Sequence, residues 1–152
     1  MDDRTTHERY IRRCVELAQR ALATGDTPVG SLIVDNADVV AEGVEAVRAT
    51  EDVTAHAEIV ALRAAFARRG SRDLSGCTLY TSVEPCVMCA YAIRLARISL
   101  VVSSTRSGAT GSGTAGNGDS ADRITGFAVL TDASLLPRHP VPQVIRDVLT
   151  DR

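Results

Sequence analysis

Apolar residues at Ile11, Cys14, Val15, Ala18 and Leu22 recur with the period of an amphipathic helix. Thr5-Thr6-His7-Glu8, just upstream, has the spacing of a capping box, and Gly25 offers a stop. The pattern then becomes strand-like. Pro28-Val29-Gly30-Ser31-Leu32-Ile33-Val34 is a β-branched run, Asp35-Asn36-Ala37-Asp38 carries turn chemistry, and Val39-Val40-Ala41-Glu42-Gly43-Val44 resumes, which predicts a β-hairpin. A polar loop over about 45–53 leads to an Ala-rich second helix from about Thr54 to Arg69, with Gly70 after its end. A third strand starts near Cys77 and runs through Leu79-Tyr80-Thr81-Ser82. Pro85 opens a third helix reaching about Ala96, and Ile98–Val102 forms a fourth strand. Strand, helix and strand in that order predict a βαβ crossover with parallel pairing. Phe127–Leu130 reads as a fifth strand and Val141–Leu149 as a short final helix. The whole chain, 1–152, is expected to form one α/β domain.

The stretch 103–122, SSTRSGATGSGTAGNGDSAD, has almost no apolar residue. Gly, Ser and Thr at that density predict a flexible loop, either a plain surface loop or a substrate lid. Composition otherwise describes an ordinary water-soluble protein, 45% hydrophobic and 24% charged. With 3% aromatics and no Trp, its core must be mainly aliphatic. The N-terminal MDDRTTHERY lacks the apolar core of a secretory signal, and no apolar run reaches the length of a membrane span. A cytoplasmic location without membrane contact is the expectation. The net charge of -2 lacks the basic excess of a protein that grips phosphate backbones. Arg68, Arg69 and Arg72 make either a local basic patch or a solvated helix end. All 17 basic residues are Arg, so neither a Schiff-base lysine nor a P-loop lysine exists.

Chemistry concentrates in two short segments. His56 and Glu58 stand two apart, and Cys86 and Cys89 stand three apart behind Pro85. Imidazole nitrogen and thiolate sulfur are ligands suited to zinc. Both cysteines fall at a helix start, where their sulfurs face one way and backbone N–H groups favour thiolate. Cys14 and Cys77 fit apolar patterns, and His7 and His139 lie near the chain ends. Three ligands and an open position favour a catalytic zinc over a structural one. Glu58 is the proton acceptor for water at that position. Residues two apart on a regular helix differ by about 200°, so His56 and Glu58 must lie in a first turn, with the metal between two facing helix N-termini. A carboxyl acting as base and then as acid is what hydrolytic deamination requires. The competing readings are a redox C-x-x-C pair and a noncatalytic, zinc-stabilised binding module.

His56-Ala57-Glu58 and Pro85-Cys86-Val87-Met88-Cys89 match the H-x-E … P-C-x-x-C pattern of zinc nucleobase deaminases. Together with "TPVGSLIV", "TAHAEI", "TLYTSVEPCVMCAYAI" and "ARI", they make the chain resemble the cytidine deaminase superfamily. The resemblance is to the branch holding bacterial guanine deaminases and tRNA adenosine deaminases, over about residues 5–105. It implies a three-layer α/β/α cytidine deaminase-like fold with a central five-stranded mixed sheet. It also implies one Zn²⁺ on His56, Cys86 and Cys89, Glu58 as proton shuttle, and a base pocket lined by Val29, Gly30, Ala57, Val83 and Glu84. Glu84 would satisfy loop N–H groups or sit near the leaving amine. A homodimer through the apolar third helix is implied as well. Two departures stand out. Where this branch usually has a base-binding Asn after the second strand, this chain has Glu45, which either enters the pocket and favours N–H-bearing substrates or turns to solvent. The tail after Asp122 lacks the basic, aromatic helix expected of the tRNA enzymes. A guanine-like or cytosine-like free base or nucleoside is therefore the leading substrate, ahead of tRNA.

Overall fold

A computed structural model describes residues 3–104 and 125–149. Helix α1 spans Asp3–Ala23, followed by the hairpin strands β1 (Gly30–Asp35) and β2 (Asp38–Val44). A short helix α2 (Val47–Thr50) interrupts the expected polar loop, and α3 covers Ala57–Arg69. Then come β3 (Thr78–Thr81), α4 (Val87–Leu95), β4 (Leu100–Ser103), α5 (Gly126–Thr131) and β5 (Gln143–Ile145). The five strands form one mixed sheet in the order β2-β1-β3-β4-β5. β1 pairs antiparallel with β2 and β3, whereas β3–β4 and β4–β5 are parallel.

Alternation along the strands divides the core between the two sheet faces. Leu32, Val34, Tyr80 and Val102 pack with Tyr10, Ile11 and Cys14 of α1. Ile33, Leu79 and Val101 point the other way, to Ala61, Leu62 and Ala65 of α3, Ala90 and Ile93 of α4, and Val129 and Leu130 of α5. The result is the expected helix–sheet–helix layering. Cys14 and Cys77 are fully buried in these clusters, so both are core residues.

The last two elements exchange their predicted types. Phe127–Leu130 is helical, because the Thr125 hydroxyl accepts the Ala128 N–H at 3.0 Å and caps the turn. The segment 141–149 supplies strand β5 instead of a helix. Pro142 pushes Val141 away from helical geometry, and Asp147 adopts φ 61°, which breaks any helix there. The Gly/Ser/Thr-rich stretch expected over 103–122 lies, from residue 105 on, outside the described residues. Ser103 ends β4 and Ser104 is buried beside it. Among the described residues, no helix is long and apolar enough to cross a membrane.

Candidate metal and active site

Two helices begin at the site. His56 is the N-cap of α3, with extended backbone (φ -65°, ψ 151°), and Cys86 is the N-cap of α4 (φ -71°, ψ 173°). Pro85 thus stands just before the cap instead of in the first helical turn. The Cys86 sulfur accepts the Cys89 N–H at 3.5 Å, replacing the usual oxygen cap. The facing helix starts that the sequence required are therefore present, and they converge on one point.

His56 Nδ1 lies 3.5 Å from Cys86 Sγ and 3.6 Å from Cys89 Sγ. All three ligand atoms lie within 4.8 Å of one another. A tetrahedral zinc with about 2.3 Å to sulfur and about 2.0 Å to nitrogen places those atoms about 3.5 Å apart. The set fits one zinc ion in both chemistry and spacing. Hydrogen bonds from Cys89 and His56 hold the Cys86 thiol down to about 4, so this ligand stands as the thiolate a metal needs. The bond to Cys86 pushes His56 up to about 9. Cys89, hydrogen-bonded to the Cys86 thiolate and buried, keeps its proton until a cation displaces it.

Glu58 is 3% exposed and stands at this cluster, its Oε2 3.6 Å from Cys89 Sγ. The Thr81 hydroxyl donates to Oε1 at 2.9 Å and fixes the carboxyl from β3. Burial pushes the Glu58 carboxyl up, against the lowering pull of its own N–H and of Thr81. A carboxyl so placed is suited to taking up and returning a proton.

Glu45 does not turn to solvent; it is 7% exposed. Its N–H donates to the Val29 carbonyl at 3.1 Å, which ties it to the start of β1. Burial raises its pKa to about 7, and it interacts electrostatically with both His56 and Glu58. Among the described residues its Oε1 has no hydrogen-bond partner. Asp26, which the sequence did not single out, accepts the N–H groups of Arg48 at 2.6 Å and Ala49 at 3.2 Å, and so anchors α2 next to Glu45.

The remaining expected residues divide. Ala57 is fully buried between His56 and Glu58, and Val83 is half-buried in the loop before Cys86. Glu84 is buried and bound to Arg146 at 2.9 Å. Gly30 serves packing: a Cβ there would lie 2.2 Å from the Cys14 carbonyl oxygen, so α1 crosses β1 at this point. Thr81, Asp26 and Arg146 escaped sequence reasoning because each acts on a residue far away in the chain. For Thr81 alone a signal existed, its place at the C-terminal end of a parallel strand that leads into the Cys86 loop.

Residues 4–105 match the zinc-binding region of cytidine and deoxycytidylate deaminases. The chain belongs to that family. Over 95 residues it is 38% identical to the tRNA-specific adenosine deaminase of Aquifex aeolicus, covering 62% of this chain and 63% of that protein. Over 92 residues it is 44% identical to the guanine deaminase of Bacillus subtilis, covering 60% of this chain and 59% of that protein. The matched stretches thus span about three fifths of the length of these relatives. A solved structure of a tRNA:A34 deaminase, studied for A-to-I editing at the wobble position of transfer RNA, superposes with a TM-score of 0.74 at 28% identity. That likeness covers 91% of this chain and 97% of the other. His56, Cys86 and Cys89 lie within this matched zinc-binding region and are positioned to hold one metal ion.

Proposed function

We propose that this family member is a zinc-dependent hydrolytic deaminase of a small aminated nucleobase or nucleoside, of guanine-like or cytosine-like type. The observation that carries this is the buried Glu58 carboxyl touching the His56–Cys86–Cys89 cluster. When bound, zinc supplies Lewis acidity that makes water nucleophilic near neutral pH. The chain's own groups do the rest. Glu58 Oε2 takes a proton from the attacking water, and Thr81 holds Oε1 so that the carboxyl cannot rotate away. The same carboxyl returns that proton to a ring nitrogen, then carries the remaining proton of the new hydroxyl to the exocyclic amine so that it can leave. A C–O bond forms, the exocyclic C–N bond breaks, and ammonia departs without any redox change. Ala57, Val83 and Val29 are assigned to the pocket walls, Val29 acting through its carbonyl on Glu45.

Glu45 favours a small base over adenosine in tRNA. With its pKa near 7, Glu45 accepts hydrogen bonds when ionised and can also donate one when protonated, so its buried, unpartnered oxygen favours rings that present N–H groups in the ionised form. The net charge of -2 points the same way. The second reading, deamination of adenosine in tRNA, is supported by the Aquifex relative and the tRNA:A34 deaminase structure. A homodimer is proposed through α4, whose Val87, Met88, Tyr91 and Leu95 are 36–46% exposed along one side.

The test is ammonia release from a panel of aminated bases, nucleosides and tRNA. Turnover of guanine- or cytosine-type compounds is expected. Turnover of tRNA alone would establish the second reading, and silence of the zinc-loaded protein on every compound would mean a binding module. Glu45→Asn should change substrate preference without changing zinc content. An unchanged preference would remove Glu45 from the pocket.

A further inference from the structure

The loop carrying Cys86 is gripped by a part of the chain that lies beyond the family-matched residues 4–105. At the start of α5, Gly126 packs against the Pro85–Cys86 peptide so closely that a Cβ would lie 1.7 Å from the Pro85 carbonyl oxygen and 3.0 Å from the Cys86 carbonyl carbon. The next residue, Phe127, lies under a guanidinium: the Arg146 Cζ stands 4.1 Å from its ring centroid. That guanidinium in turn donates from Nη2 to Glu84 Oε2 at 2.9 Å. Glu84 is 6% exposed, so this charge pair operates with little water around the carboxylate. Arg146 follows directly on β5, which pairs with β4 in the sheet. The peptide run Glu84-Pro85-Cys86 is thereby held at Pro85–Cys86 by α5 backbone and at Glu84 by a cation stacked on an aromatic ring.

This placement matters because Cys86 is an N-cap and not an interior helix residue. Its sulfur goes where the loop puts it, whereas Cys89 is carried within α4 itself. Metal affinity depends on ligands already standing at the correct separation, and on the groups behind the ligands that hold them there. We propose that Gly126, Phe127 and Arg146 are positioning residues for the metal site, fixing Cys86 through Glu84 and Pro85. The ligand set lies in the family-matched region, but its preorganisation is completed from outside it.

The readout is metal affinity, so the test stands apart from which base is turned over. Zinc affinity of the full chain is measured by competition with a chromophoric chelator, and the Co²⁺-loaded protein is examined by absorption for thiolate charge-transfer and d–d bands. Arg146→Met keeps the aliphatic stem and removes the cation. Zinc binding is expected to weaken about tenfold or more, as for other groups that support metal ligands, with shifted cobalt bands and partial recovery in Arg146→Lys. A lower melting temperature with wild-type zinc affinity and cobalt spectrum would overturn the proposal, since the contact would then serve stability alone. If Arg146→Met does not fold, Phe127→Leu and Gly126→Ala are judged by the same criterion: unchanged affinity and spectrum refute it, weakened affinity with a shifted spectrum supports it.

Discussion

Gly43→Ala tests how closely the fold controls the site. Gly43 sits in β2 opposite Ser31, directly beneath α3. A Cβ there would lie 2.1 Å from the Ala57 carbonyl oxygen, 2.6 Å from the Ala61 backbone nitrogen and 3.0 Å from the Ala61 Cβ. Non-bonded heavy atoms settle at about 3.5 Å, so the first turn of α3 must withdraw by roughly 1 Å. The obstructing atoms are helix backbone, which cannot swing aside as a side-chain tip would. Ala57 is flanked by His56 and Glu58, so the same movement carries a metal ligand and the carboxyl away from Cys86 and Cys89. Overpacking of this kind costs about 1–3 kcal/mol. At about 2–4 °C of melting temperature for each kcal/mol in a domain of this size, the variant should melt several degrees below wild type. A 1 Å displacement of a reacting group can lower turnover about 100-fold. The assay is a thermal melt, a zinc titration and a turnover measurement on one preparation. Wild-type stability together with wild-type zinc affinity would refute the claim that α3 rests on a side-chain-free position of β2.

Two further substitutions address other links in the account. Asp26→Ala removes the acceptor for the Arg48 and Ala49 N–H groups. It should cost about 1–2 kcal/mol in a urea melt and raise KM more than it lowers kcat, because α2 and Glu45 loosen while the ligands stay. Loss of zinc from this variant would contradict that division. Cys14→Ala removes a thiol buried in the α1 face of the core, where burial pushes its pKa up. It should cost about 1 kcal/mol and leave elemental analysis at one zinc per chain; a fall in zinc content would show that Cys14 belongs to the metal site.

Much of the fold was legible because periodicity and punctuation agreed. The amphipathic stripe of α1 with its Gly25 stop, the hairpin turn at Asp35–Asp38 and the run from β3 to β4 each combine an apolar pattern with a stop, turn or proline, whereas the capping box expected at Thr5–Glu8 falls inside α1, which already runs from Asp3. Agreement failed near the C-terminal end of the described chain. Phe127-Ala128-Val129-Leu130 is a short apolar run with no period, and length alone cannot separate helix from strand there. The Thr125 cap and the space that Gly126 leaves beside Pro85 settle it, and the second depends on a tertiary contact. Around 141–149, Pro140 just before the segment and Pro142 within it carry a signal for extended chain.

The site was legible in a different way. His56, Glu58, Cys86 and Cys89 are local motifs, and the requirement for facing helix starts follows from their spacing. Thr81 under Glu58, Arg146 on Glu84 and Asp26 on α2 connect residues 23, 62 and 22 or 23 apart. No periodic pattern encodes such pairings. Glu45 shows the limit most clearly: its position in the chain could be read, but its burial at the metal ligands follows only from the Val29 carbonyl and the Asp26-anchored turn.

The most direct test is Glu58→Gln, which keeps the side-chain volume and the Thr81 contact while removing the exchangeable carboxyl proton. Zinc per chain and single-turnover ammonia release are measured on the same protein, with the best substrate from the panel. One zinc per chain with turnover reduced at least about 1000-fold is the expected result, in the range lost when a positioned acid–base group is removed. Turnover within a few-fold of wild type at full zinc occupancy would show that some other group moves the proton.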